Sequence, residues 1–117
     1  MTRPLARPTK KTAPRKPARV KVQLLTAFHC LDVGKESWTG FVRTLSLSET
    51  EAVLESPDEW RADQKFTLEF LLDNDRVAPV QAQVARVEKK GAFFLATLTF
   101  EPLPAKIRKL IAQQISR

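Results

Sequence analysis

Hydrophobic and polar residues alternate with a period of two along most of the chain between residues 20 and 100. This period is typical of β-strands that bury one face. The predicted strands begin at residue 20 and then cover about 38–48, 51–55, 66–70, 80–84 and 94–100. Asp73-Asn74-Asp75 and Lys90-Gly91 are predicted hairpin turns, because such residues tolerate left-handed backbone. The polar stretch 32–36 is predicted to be a loop.

The period changes to that of an amphipathic helix after Pro104. The apolar residues that share one helical face are Ile107, Leu110, Ile111 and Ile115. We expect this face to cover an opening or edge of the sheet. Trp60, which follows the turn at Pro57, is expected to pack against the same body. Several short strands at regular spacing predict a mainly β fold, a six-stranded, closed or nearly closed antiparallel barrel with a C-terminal α-helix.

The net charge of the 117-residue chain is +7, and all of it lies in the first nineteen residues. The cations there are Arg3, Arg7, Lys10, Lys11, Arg15, Lys16 and Arg19. Four prolines are interspersed among them, so residues 1–18 are predicted to be a flexible basic arm and residues 19–117 the folded domain. A cationic arm on a neutral body indicates an anionic partner, such as a phosphate, a nucleic acid or an acidic surface.

Residues for catalysis or metal binding are sparse. His29 and Cys30 are the only His and Cys, and neighbours in a strand point to opposite faces, so they form neither a nucleophile–base pair nor a zinc site. The scattered glycines make no phosphate-binding loop. We therefore predict that the protein is not an enzyme and needs no metal or cofactor. A single Cys, no membrane-spanning apolar run and no signal peptide favour the cytoplasm.

Two motifs remain. The first is Arg15-x-x-x-Arg19 at the entrance to the first strand, where two guanidinium groups can bind phosphate and the O6/N7 edge of guanine. The second is Thr44-Leu45-Ser46-Leu47-Ser48-Glu49 at the end of the second strand. Alternation predicts that Leu45 and Leu47 point inward. The polar row expected on the outer face is then Thr44, Ser46 and Ser48.

In this order the two motifs resemble those of the PilZ domain, the bacterial receptor module for cyclic di-GMP. That family has Arg-x-x-x-Arg before its first strand and Asp/Asn-x-Ser-x-x-Gly about 25 residues later, where its second strand ends. The resemblance covers residues 15–117 and implies the family's six-stranded barrel with a C-terminal helix. It also implies a cyclic di-GMP site on one side of the barrel. The residues that it assigns to this site are Arg15, Arg19, Thr44, Ser46 and Glu49, and the polar row on the second strand adds Ser48 to the predicted site.

Two of these positions depart from the family pattern. Thr44 stands in place of Asp/Asn, and the loss of a charge-assisted hydrogen bond costs about 1.5–3 kcal/mol. Glu49 stands in place of glycine, which costs about 1–2 kcal/mol if φ must be positive. Its carboxylate also repels a dianionic ligand. We therefore expect cyclic di-GMP binding about a hundredfold or more weaker than the family norm.

Three functions follow from these observations. The first is a cyclic di-GMP receptor that passes a conformational change in the arm to a protein partner in second-messenger signalling, motility or biofilm formation. The second is a ligand-independent PilZ-like adaptor for motility or surface machinery. The third, non-specific binding to nucleic acid or anionic membranes, ranks last because the body adds no net positive charge and the arm has no interleaved aromatic residues. We expect a monomer or a weak dimer.

Overall fold

In the described part of the chain, six antiparallel strands form a closed barrel and a helix packs against it. The computed structural model describes residues 19–31 and 37–116; the predicted arm 1–18 and the predicted loop 32–36 lie outside the described residues. The elements are β1 (Val20–Leu31), β2 (Ser37–Leu47), β3 (Glu51–Ser56), β4 (Lys65–Leu71), β5 (Val77–Lys90), β6 (Phe93–Phe100) and α1 (Ala105–Ile115). The order around the barrel is β1-β2-β3-β6-β5-β4, and β4 pairs with β1. The predicted fold is confirmed.

The alternating pattern of the sequence places every second side chain inside the barrel. On β4, Phe66, Leu68 and Phe70 are buried, whereas Lys65 and Glu69 are exposed. Strand β5 repeats the pattern through its first half. Burial of one such large apolar side chain stabilises the fold by about 1.5–3 kcal/mol. The barrel interior is therefore a packed core, and a ligand must bind on the outside.

Aromatic rings pack together inside the barrel near the end of β1. Phe28 meets Trp38, Trp60 and Phe66 edge-on, with ring centroids 5.1–5.8 Å apart. Trp60 is buried, as predicted, and stacks on Phe66 at 4.3 Å. Gly40 is the cross-strand partner of Phe28, and a Cβ at position 40 would lie 2.9 Å from the Phe28 ring. Glycine at this position therefore makes room for the aromatic cluster.

Helix α1 packs against the barrel through the apolar face that the sequence predicts. Ile111 is fully buried in the core, and the other apolar residues of this face are partly buried against it. The helix is also attached by Gln114, whose side chain is buried. Its Oε1 accepts a hydrogen bond from the backbone N–H of Asp73, and its Nε2 donates to Asp73 Oδ2, both at 2.9 Å. Helix α1 is thus anchored on the turn between β4 and β5.

The predicted outward row on β2 is wrong at two of its three positions, and a bulge in β2 is the reason for the first of them, Thr44. Thr44 pairs with Leu54 of β3 and Ser46 pairs with Val53, so Leu45 is an extra residue on β2. Thr44 consequently points inward and is fully buried, while Leu45, predicted to be inside, lies on the outer face beside Ser46. The third residue of the row, Ser48, is also buried. Leu47 is buried as predicted.

Candidate functional site

An open groove of about 610 Å³ lies on the outer face of the barrel around the bulge. Its size falls within the range of about 300–1,000 Å³ that is common for ligand sites. Lys21 on β1 is the cross-strand partner of Ser46, and Ser46 is the partner of Val53. Polar groups therefore lie beside an apolar surface. The groove is lined by Lys21, Val22, Gln23, Leu45, Ser46, Val53 and Leu95.

Thr44 lies on the opposite side of β2 from this groove. Its Oγ1 is 2.6 Å from Thr26 Oγ1 in the interior, and the Thr26 hydroxyl also donates to the carbonyl oxygen of Leu24 at 3.1 Å. Both threonine side chains are fully buried. The two hydroxyls therefore satisfy each other's hydrogen-bonding needs within the core, and the Thr44 side chain does not face the groove.

Ser48 organises the turn between β2 and β3. Its Oγ accepts hydrogen bonds from the backbone N–H groups of Thr50 and Glu51 at 3.1 and 3.0 Å. The Ser48 N–H in turn donates to the Glu51 carbonyl oxygen at 2.9 Å. The serine side chain is therefore committed to local backbone groups, as is common for serine in tight turns.

Arg19 lies immediately before β1, and its guanidinium reaches the first residue of β3. Arg19 Nη1 is 3.5 Å from Glu51 Oε2. The Arg19 side chain is 40% exposed and that of Glu51 is 12% exposed. The pair places one arginine of the Arg-x-x-x-Arg motif next to the strand that carries Ser46. The other arginine, Arg15, lies outside the described residues.

Glu49 occupies the β2–β3 turn and is half-buried. Among the described residues, the non-glycine positions with positive φ are Asp63 and Asp75. Glu49 therefore has an ordinary backbone conformation, and a positive φ, the condition for the expected strain, is not met. The remaining difference from glycine is its carboxylate.

Lys21 and Gln23 line the groove but do not belong to either sequence motif. Strand alternation identifies both as outward-facing, yet it does not show which residues of β2 lie beside them. That pairing depends on a register shift between Lys21 and Leu24, which places Lys21 opposite Ser46. The groove thus contains a cation that the motif comparison missed.

A second, smaller groove adjoins the first and shares Gln23 with it. Large apolar side chains project around it: Phe41 is 69% exposed, Leu25 54% and Phe93 43%. Exposed apolar clusters of this kind often mark protein-binding surfaces. The ion pair between Arg43 and Glu55, 3.8 Å long, borders the same groove.

His29 and Cys30 point to opposite faces of β1, as predicted, with His29 exposed and Cys30 buried. Within residues 19–31 and 37–116, no cluster of three or more His, Cys, Asp or Glu residues is suited to a metal ion. The described part of the chain also contains no helix long and apolar enough to cross a membrane.

Solved structures of other proteins share the fold of this chain. The barrel is similar to the inhibitor of motility MotI/DgrA from Bacillus subtilis, with a TM-score of 0.73 and 15% identity over 90% of this chain and 50% of that chain. The chain thus spans about half the length of MotI/DgrA.

Two further structures are similar over most of their own length. The PilZ domain of YcgR from Escherichia coli, solved with c-di-GMP, gives a TM-score of 0.69 and 13% identity over 89% of this chain and 90% of that chain. The PilZ domain of CeSA from a cellulose-synthesizing bacterium gives a TM-score of 0.63 and 12% identity over 85% of this chain and 95% of that chain. At these identities the likenesses establish the fold.

A search of curated protein sequences finds no significant match. The family model of the PilZ domain, in contrast, matches residues 13–117. This range includes both sequence motifs and every strand and helix described above. The chain therefore belongs to the PilZ domain family.

Proposed function

We propose that this PilZ domain is a cyclic di-GMP receptor of bacterial signalling and that it binds the ligand in the groove over Ser46. The observation that carries the proposal is the position of Arg19 and Lys21. Arg19 lies two residues before Lys21 and contacts Glu51 at the start of β3, and Lys21 lines the groove opposite Ser46. Family membership supports the choice of ligand, and the YcgR PilZ domain was solved with c-di-GMP. The proposed function is binding, without a catalytic step.

The chemistry of the groove matches the parts of a cyclic dinucleotide. Arg19 and Lys21 supply positive charge for phosphate, and guanidinium groups form bidentate bonds to phosphate oxygens. The Ser46 hydroxyl donates to or accepts from a guanine edge. The apolar residues of the groove, Leu45 and Val53 among them, provide surface against a base. Arg15 supplies a second guanidinium in this proposal.

We propose an affinity below that of family members with the complete second motif. The Thr44 side chain is committed to Thr26 in the core, and position 49 carries an acid in place of glycine. The Thr44 hydroxyl bonds in the core and the Ser48 hydroxyl bonds the turn backbone, so Ser46 is the proposed ligand contact on β2. Loss of the Asp/Asn contact alone corresponds to roughly a tenfold to hundredfold weaker complex.

Titration calorimetry with cyclic di-GMP tests the proposal. We expect heat of binding for the native chain, and strongly reduced binding for Arg19→Ala, Arg15→Ala and Ser46→Ala. Arg108→Ala is the matched control, because Arg108 is exposed on α1 and does not line the groove. Absence of heat at ligand concentrations up to about 1 mM overturns the receptor function. Native affinity in Arg19→Ala overturns the proposed site.

The exposed apolar cluster supports a second candidate, a ligand-independent adaptor that binds a protein partner in motility or surface machinery. Phe41, Leu25 and Phe93 present large apolar side chains around the second groove. In this version the native chain gives no heat with cyclic di-GMP, Glu49→Gly gains binding, and Phe41→Ser impairs the cellular role. Measurable native affinity, equal to that of Glu49→Gly, contradicts it.

A further inference from the structure

The ion pair between Arg19 and Glu51 lies at one end of the proposed ligand groove. Arg19 precedes Lys21 by two residues on the β1 side, and Glu51 precedes Val53 by two residues on β3. Lys21 and Val53 are the residues that pair with Ser46 from either side. The ion pair therefore connects β1 to β3 across the end of β2, beside Ser46.

Glu51 is the fixed partner of this pair. Its backbone N–H donates to Ser48 Oγ at 3.0 Å, and its carbonyl oxygen accepts from the Ser48 N–H at 2.9 Å. Its side chain is 12% exposed, compared with 40% for Arg19, which lies just outside β1. A change of partner within the pair therefore requires movement of the arginine, while the carboxylate stays at the start of β3.

The 3.5 Å contact joins Arg19 Nη1 to a mostly buried carboxylate, and it is longer than a good charge-assisted hydrogen bond. A phosphate that binds a guanidinium through two parallel hydrogen bonds is a stronger partner. The Glu51 carboxylate holds Nη1, one of the groups that such a bidentate contact uses. A phosphate that binds Arg19 through Nη1 therefore competes with Glu51 for this nitrogen.

We infer that Glu51 sets the affinity of the groove by competing with ligand phosphate for the guanidinium of Arg19. The inference rests on the proposed function and names a residue that neither sequence motif contains. In the free protein Arg19 pairs with Glu51, and ligand binding replaces this contact. Glu51 acts through Arg19 and is therefore a positioning residue rather than a ligand contact.

Calorimetry on Glu51→Gln and Glu55→Gln tests the inference. Glu55 is a matched control because it lies on the same strand, pairs with an arginine at 3.8 Å, and changes the net charge equally when it is replaced. We expect Glu51→Gln to bind cyclic di-GMP about fivefold more tightly than the native chain and Glu55→Gln to bind like it. Unchanged affinity in Glu51→Gln, or an equal gain in Glu55→Gln, overturns the inference and leaves the receptor function standing.

The NMR signal of the Arg19 Nε–H group provides a readout in the ligand-free protein. We expect this signal to move in Glu51→Gln and to stay in place in Glu55→Gln. Cyclic di-GMP added to the native chain is expected to move it as well, because Arg19 exchanges partners. A signal that Glu51→Gln leaves unchanged contradicts the inference. Failure of both the native chain and Glu51→Gln to bind cyclic di-GMP instead overturns the receptor function, and the inference with it.

Discussion

The hydroxyl oxygens of Thr26 and Thr44 lie 2.6 Å apart inside the barrel. Thr26 donates its single hydroxyl proton to the Leu24 carbonyl oxygen, so Thr44 is the donor within the pair. The pair connects β1 to β2 just before the Leu45 bulge. The position that the motif comparison aligns with a ligand-binding Asp/Asn thus has a structural role in this chain.

Two substitutions at Thr44 are expected to differ widely in their cost. Thr44→Val keeps the shape and leaves Thr26 bonded to Leu24, so we expect a loss of about 0.5–1.5 kcal/mol in the free energy of unfolding. Thr44→Asp places a carboxylate in the core, where an unpaired charge costs several kcal/mol. Urea denaturation measures both. Equal stability of the two variants is incompatible with an inward-facing Thr44.

The inward position of Thr44 determines which substitution best restores the family motif. Thr44→Asp disturbs the core before it offers any new ligand contact, so a binding experiment on that variant reports mainly on folding. Glu49→Gly removes an acid from the turn at a position with ordinary backbone. Glu49→Gly alone is therefore the better test of whether the incomplete second motif weakens binding.

The two serines of the second motif are expected to separate binding from stability. Ser48→Ala removes the acceptor of two backbone N–H groups, so we expect a loss of about 1–2 kcal/mol in the free energy of unfolding. Ser46 lines the groove, and Ser46→Ala is expected to reduce cyclic di-GMP affinity with less than about 0.5 kcal/mol lost in stability. Urea denaturation and calorimetry on both variants check this. A larger stability loss for Ser46→Ala runs against these assignments.

Much of the fold follows from alternation alone, because on β4 the alternating apolar residues Phe66, Leu68 and Phe70 are also the inward residues. The same rule fails on β2. Thr44-Leu45-Ser46-Leu47 alternates perfectly in the sequence, yet one inserted residue shifts the two halves of the strand by one face. The bulge is defined by the pairing of β2 with β3, which a local pattern does not contain. Lys21 was missed for the same reason, since its position opposite Ser46 depends on register.

Gly40 and Gly91 are expected to respond differently to substitution by alanine. Gly40→Ala brings a Cβ within 2.9 Å of the Phe28 ring, and overpacking of this kind costs about 1–3 kcal/mol. Gly91→Ala meets no neighbour within 4 Å but strains a φ of +60°, which costs about 1–2 kcal/mol. We expect the near-UV circular dichroism of the tryptophans to change only in Gly40→Ala. A change in both variants argues against a direct effect on the aromatic cluster.

The attachment of α1 to the β4–β5 turn is expected to depend on Gln114. Gln114→Leu removes both hydrogen bonds to Asp73, including the acceptor of the Asp73 backbone N–H. We expect the free energy of unfolding to fall by about 1–3 kcal/mol. Gln113→Leu is the control, because Gln113 is exposed on the same helix. Hydrogen exchange of the α1 amides is expected to accelerate in Gln114→Leu and to stay near native in Gln113→Leu. Equal exchange in both variants shows that apolar packing holds the helix without the Gln114 hydrogen bonds.

Lys21 provides the sharpest test of the groove, because no sequence motif points to it. Its side chain is exposed opposite Ser46, so a phosphate in the groove gains one ammonium contact from it. We expect Lys21→Gln to weaken cyclic di-GMP binding about threefold to tenfold. Its affinity is also expected to fall less steeply with added salt than that of the native chain, because one screened contact is missing. Lys65→Gln, an equal charge change at an exposed position of β4 outside the groove, is expected to retain native affinity. If both lysine variants lose affinity equally, the effect comes from the net charge of the domain, and Lys21 does not touch the ligand.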